Sequence, residues 1–167
     1  MSKIANRLLW FLGLVFLQVL ILNRIRWFGV ATPFLYIYFI LTMDHNISRN
    51  KLMLWAFVIG LTVDIFSNTF GIHAAASTFI AFIRPGLLRF FFVRDENEFY
   101  EPGIRVMGIG AFFRYSLVCT LIHHLLIFLL QFFTLTHPMT LLLHIATSTL
   151  LTLLFVMAIE FIRYRKL

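Results

Sequence analysis

Charge is what this chain has least of, and acid is the scarcer sign: 7 Asp and Glu stand against 14 Lys and Arg in 167 residues. A soluble domain needs polar faces that alternate with apolar ones at period 3.6 or 2, and whole segments here have none, so a soluble globular class is excluded. The net charge of +7 does not imply nucleic acid, because the cations lie between apolar segments rather than on one soluble basic face. Cysteine occurs once, as Cys119 inside an apolar run; no internal disulfide and no cysteine-ligated metal motif can form. The first apolar run follows Lys3 and Arg7, as a signal peptide would, yet Ile21-Leu22-Asn23-Arg24 offers no small-residue cleavage site, so the run is expected to stay as a first span. Catalytic signatures are also missing: there is no Gly-rich phosphate loop, no Gly-x-Ser-x-Gly elbow and no close acid pair beside a Ser or Cys nucleophile. The sequence gives no reason to assign an enzyme, a cofactor or a metal.

What is present is grease. Hydrophobic residues make up 61% of the chain, 21 of them phenylalanine, and the mean hydropathy is +0.93. Segments apolar on every face are what lipid-facing helices require. The expected fold class is an all-α polytopic membrane protein forming one domain, with six transmembrane helices over residues 6–23, 27–43, 52–67, 71–84, 109–133 and 139–162. Pro33 is expected to kink the second. The stretch 52–83 would make a helix of roughly 48 Å, too long for one crossing, so it is divided by a turn at Asn68 to Gly71. Arg84-Pro85-Gly86 is expected to end or bend the fourth helix, leaving 86–94 as an interfacial segment with Arg89 and Arg94 beside bulky apolar residues. Residues 95–103 carry Asp95, Glu96, Glu98 and Glu101 and read as a solvated or partner-docking loop.

Loop charge predicts the orientation. Loops sharing a side with both termini hold Lys3, Arg7, Arg49, Lys51, Arg84, Arg89, Arg94, Arg105, Arg163, Arg165 and Lys166, against Arg24 and Arg26 on the other. The positive-inside tendency then puts both termini in the cytoplasm.

Asp64 stands out within this frame. A carboxylate near the middle of an apolar span costs roughly 2.5 to 3.5 kcal/mol on insertion scales and is usually paired or functional. His73, His123, His124, His137, His144, Arg24 and Arg26 are expected on the same outer half. Three readings of this cluster are open: a structural anchor, with Asp64 on an arginine, a histidine or the backbone amides of the turn; a metal site; or a proton or solute path. No HExxH or His-x3-His pattern supports the metal site.

Gly60-Leu61-x-x-Asp64-Ile65-Phe66-Ser67 followed by Gly71-Ile72-His73-Ala74, in a small chain with six expected spans and cytoplasmic termini, resembles the bacterial rod shape-determining protein MreD family. The resemblance in length and topology covers the whole chain, and its sequence signal lies in about residues 56 to 85. It implies a noncatalytic inner-membrane subunit of the cell-elongation machinery, which regulates peptidoglycan synthesis. Its implied partners are the bitopic protein MreC, the actin-like MreB filament, and the SEDS glycosyltransferase with its penicillin-binding transpeptidase. It also implies a fold similar to the substrate-binding subunits of energy-coupling-factor vitamin transporters, and a vitamin-binding subunit is therefore the alternative. Fold likeness alone does not transfer function. On the MreD-like reading Gly60, Asp64, Gly71 and His73 are expected to shape a rigid hairpin that holds the bundle together or presents a surface to MreC.

Overall fold

The computed structural model describes residues 3–25, 31–92, 100–132 and 138–166. Five long helices carry the architecture: α1 (Lys3–Leu20), α3 (Arg49–Ser67), α4 (Ile72–Phe91), α5 (Ile104–Phe132) and α6 (Pro138–Lys166), with a five-residue helix α2 (Ile37–Leu41) between the first two. Each of the five is long and apolar enough to cross a membrane. Large apolar side chains cover the outside, among them Phe70 at 99%, Phe90 at 79% and Ile65 at 69% exposure. In water such a surface would be an association liability, whereas against hydrocarbon it is the stable face. The chain is an all-helical, multi-pass membrane protein.

Side-chain contacts define two ends of the bundle. At the first, Arg7 at the start of α1 pairs with Asp44, and Arg163 near the end of α6 pairs with Glu101. At the second, Asn23 beyond α1 donates to the hydroxyl of Ser67 at the end of α3, 2.7 Å away. Between them α3 and α4 form the closest antiparallel pair, α4 packs on α5, and α5 on α6.

The helix expected over 27–43 is not there. Residues 31–36 are irregular and only Ile37–Leu41 is α-helical, while Trp27 and its neighbours 26–30 lie outside the described residues. The cause begins at Pro33, which has no amide to donate and drives its predecessor away from helical geometry. Exposed backbone polar groups are not tolerated in hydrocarbon, so such a segment has to be buried in protein and bonded there. Ala31 is 7% exposed and Tyr36, Ile37 and Leu41 are fully enclosed. The amides of Thr32 and Phe34 donate to Ser148 Oγ and Thr152 Oγ1 of α6, both at 3.0 Å. Gln18 of α1 accepts from the Leu35 amide at 2.8 Å and donates to the Pro33 carbonyl at 2.9 Å. The segment runs antiparallel to α1 through the centre of the bundle, with Trp10 on Tyr38 and Phe11 on Phe39.

The fourth helix also departs from expectation, because it does not stop at Arg84-Pro85-Gly86. α4 continues to Phe91 with Pro85 inside it, so 86–91 belongs to this helix rather than to a separate interfacial segment; 93–99, including Arg94, Asp95, Glu96 and Glu98, lie outside the described residues. Proline within a helix costs about 3 kcal/mol. Burial on both sides offsets that cost: Leu88 is enclosed, and Arg84, expected in a loop, is 1% exposed. The Arg84 guanidinium donates from Nε to Tyr115 Oη at 3.0 Å and to the carbonyls of Leu41 and Met43, fastening α4 to α5 and to the end of α2. The fifth and sixth helices match expectation more closely; Gly108, at φ 76°, interrupts α5 one residue before the expected start at 109.

Candidate functional site

The turn between α3 and α4 is built by residues with restricted roles. α3 ends at Asn68 in the left-handed region (φ 53°), whose amide returns to the Asp64 carbonyl. Gly71 then takes φ 79° as the N-cap of α4, a conformation that L side chains rarely adopt. A glycine N-cap has no side chain to receive the first amides of the helix. Asp64 supplies that acceptor from the preceding helix: Oδ1 accepts from the His73 amide at 3.1 Å and the Thr69 hydroxyl at 2.5 Å, and Oδ2 from the Ala74 amide at 2.8 Å. The carboxylate, 2% exposed, also lies at the positive end of the α4 dipole. Of the partners open to it from sequence, Asp64 thus takes the backbone amides of the turn.

One turn before Asp64, Gly60 sets how close the helices come. A Cβ at this position would lie 2.5 Å from the His73 carbonyl oxygen and 2.6 Å from the Ala74 Cα, both backbone atoms that cannot swing aside. The four residues singled out from sequence therefore meet at one junction. Gly60 permits the approach, Asp64 caps the helix, Gly71 makes the turn, and His73 receives Asp64 through its amide.

The His73 side chain faces a different partner. Its Nδ1 is 2.9 Å from the Tyr36 hydroxyl, which is also 2.9 Å from His123 Nε2, so one phenol bridges imidazoles of α4 and α5 from the irregular segment. The neighbouring His124 has a tautomer set by its contacts: Nδ1 donates to the Thr120 carbonyl at 2.8 Å, leaving Nε2 to accept from Thr152 Oγ1 at 3.1 Å, the same hydroxyl that receives the Phe34 amide. The Phe34 ring lies between His73 and His124, with centroid separations of 5.0 and 5.3 Å. His123 Nδ1 is buried with no hydrogen-bond partner among the described residues. No group of three or more His, Cys, Asp or Glu side chains among the described residues is placed to hold a metal ion.

At the second end a cavity of about 630 Å³ opens beside this network, with Asn23, Arg24, Thr32, His73, Gln131 and His144 in its lining. His144 and Arg24 are thus brought to the cluster's edge, whereas Arg26 and His137 lie outside the described residues.

Sequence reasoning missed three members of the buried polar framework. Glu160 of α6 is 3% exposed; its Oε2 accepts from Tyr38 Oη at 2.5 Å and its Oε1 from the Ile104 amide at 3.2 Å, so it caps α5 as Asp64 caps α4. A carboxylate in the last apolar turns of a span was the available signal. Tyr36 and Gln18 carry no comparable mark. No family model, curated protein or solved structure matches the chain.

Proposed function

We propose that this protein is a noncatalytic subunit of the bacterial cell-elongation complex, held in the inner membrane and coupling an MreC-like bitopic protein and an MreB-like filament to peptidoglycan synthesis by a SEDS glycosyltransferase and its penicillin-binding transpeptidase. One observation carries the reading: the four residues at the heart of the MreD resemblance, Gly60, Asp64, Gly71 and His73, interlock in a single helical junction. A resemblance spread over unrelated positions would mean less. On this reading the α3–α4 hairpin is a fixed element, and its apolar outer face is a surface for membrane partners.

The buried segment 31–43 is taken as the second of six crossings. With it both termini share the side that holds Arg7, Arg49, Arg89, Arg105 and Arg163, which the positive-inside tendency makes cytoplasmic. Depleting the protein from a rod-shaped host is expected to round or swell the cells, as microscopy will record; rods of normal width at full depletion would reject the reading.

The alternative, a vitamin-binding transporter subunit of similar fold, draws on the 630 Å³ cavity with its mixed polar lining, a volume within the range of small-molecule sites. Depletion would then create a nutrient requirement and leave shape unchanged.

A further inference from the structure

The phenol that bridges His73 and His123 fixes more than the positions of the two neutral rings. A phenol has one proton to donate, so Tyr36 donates to one imidazole and accepts from the other. If it donates to His123 Nε2, the proton of that ring sits on Nδ1, which is enclosed and has no partner among the described residues. If it donates to His73 Nδ1, His123 donates from Nε2 and its Nδ1 is a bare lone pair. Buried N–H groups without an acceptor are rarer in folded proteins than acceptors with a lone pair to spare. The second arrangement is therefore favoured, and it places the proton of His73 on Nε2. That nitrogen makes no hydrogen bond among the described residues, and the ring lines the 630 Å³ cavity at the second end of the bundle. The cavity receives an N–H donor from its wall.

Charge at this end has one sign to spare. Arg24 lines the same cavity, and its side chain makes no ion pair or hydrogen bond among the described residues. Residues 21–33, 66–72 and 131–145, the stretches of sequence that meet there, hold no Asp or Glu. Asp64 is occupied by two amides and the Thr69 hydroxyl. Asp95, Glu96 and Glu98 stand between Phe92 and Tyr100, whose ring centroids are 5.8 Å apart at the first end, and residues 93–99 are too few to reach out and back along the roughly 30 Å of α4. Phe34, Phe66 and Phe128 add apolar wall. An N–H donor, a guanidinium and aromatic walls in one cavity fit an oxyanion carried on an apolar body.

We propose that the cavity at the second end binds an organic anion, its oxyanion accepting from His73 Nε2–H beside the Arg24 guanidinium and its apolar body lying against Phe34, Phe66 and Phe128. The proposal asks for a bound anion and no transport cycle, so it stands apart from the vitamin-transporter alternative, and a failure to bind would leave the elongation reading untouched. A phospholipid phosphate and a soluble carboxylate share the recognised chemistry and are the two sources to distinguish.

The tautomers are read first, from the imidazole nitrogen shifts of the full-length protein, delipidated in mild detergent, with each ring assigned through its couplings to the backbone. A proton on His73 Nε2 and a bare His123 Nδ1 are expected; a proton on His123 Nδ1 would overturn the proposal. Binding is then measured by equilibrium dialysis with naphthoate and its neutral counterpart naphthamide, and by native mass spectrometry with phosphatidylglycerol and phosphatidylcholine in mixed micelles. The anionic member of at least one pair should bind about tenfold better than the other, and Arg24→Gln should lose about that factor. Preference for naphthoate assigns the site to a soluble anion, and preference for phosphatidylglycerol to a lipid headgroup. No preference in either pair, or one that Arg24→Gln leaves intact, would overturn the proposal. So would an equal loss in the control Arg165→Gln, which removes the same charge at the first end. Unchanged elution and helical content of both variants establish that folding is not what changed.

Discussion

Asp64 holds two amides of α4 and a threonine hydroxyl with one carboxylate, so its loss leaves the buried amides of His73 and Ala74 without their acceptor. Hydrogen bonds to a charged group contribute about 1.5 to 3 kcal/mol each, and a buried group left unpaired costs its desolvation as well. Asp64→Ala is expected to destabilise the protein by about 3 kcal/mol or more, measured by reversible unfolding in mixed micelles, and Asp64→Asn, which keeps one carbonyl acceptor, by less. If Asp64→Ala unfolds like wild type, the capping role is wrong. At this scale the sequence was informative where a residue broke an apolar run. Asp64 announced itself by charge, Gly60 and Gly71 by the turn between them. Arg84 misled, because Pro85-Gly86 beside it has the composition of a loop, and only the packing of Leu88 and Tyr115 around it reveals a helix interior. Which donors a buried acid takes was not readable either, since Asp64 meets His73 through a backbone amide that every residue type but proline possesses.

The irregular segment 31–36 shows how an element can be mistaken although its apolar composition is plain. Hydropathy marks 27–43 as apolar, and a buried non-helical strand of chain needs the same residue types as a spanning helix. What decides between them is Pro33 together with acceptors and donors supplied by other helices, Gln18 on α1 and, far away in sequence, Ser148 and Thr152 on α6. Periodicity cannot display partners more than a hundred residues distant. Gln18→Leu should leave the Leu35 amide and Pro33 carbonyl unpaired within the bundle. The expected cost is about 2 to 4 kcal/mol, with faster amide exchange at Leu35 than in α5. Unchanged protection at Leu35 would show that the segment is fixed by packing alone. The long helices, by contrast, were legible because length and uniform apolarity suffice to define them.

Across the whole molecule, two ion pairs tie the beginnings and ends of the chain to one end of the bundle: Arg7 with Asp44 and Arg163 with Glu101. The hairpin turn at Phe70 lies at the other. If the basic end is cytoplasmic, a cysteine placed at Phe70 in a Cys119→Ala background will react with a membrane-impermeant thiol reagent on intact spheroplasts. One placed at Asn46 will react only after permeabilisation, and the reverse pattern would invert the topology. The elongation-complex reading asks for more than orientation, because it makes this bundle a fixed body against which other membrane proteins assemble. Its most direct test is affinity copurification of the tagged, full-length protein from its native membranes in mild detergent, with the retained proteins identified by mass spectrometry. The account predicts recovery of an MreC-like bitopic protein together with the wall synthases; recovery of an ATPase module and a bound small molecule, without MreC, would contradict it.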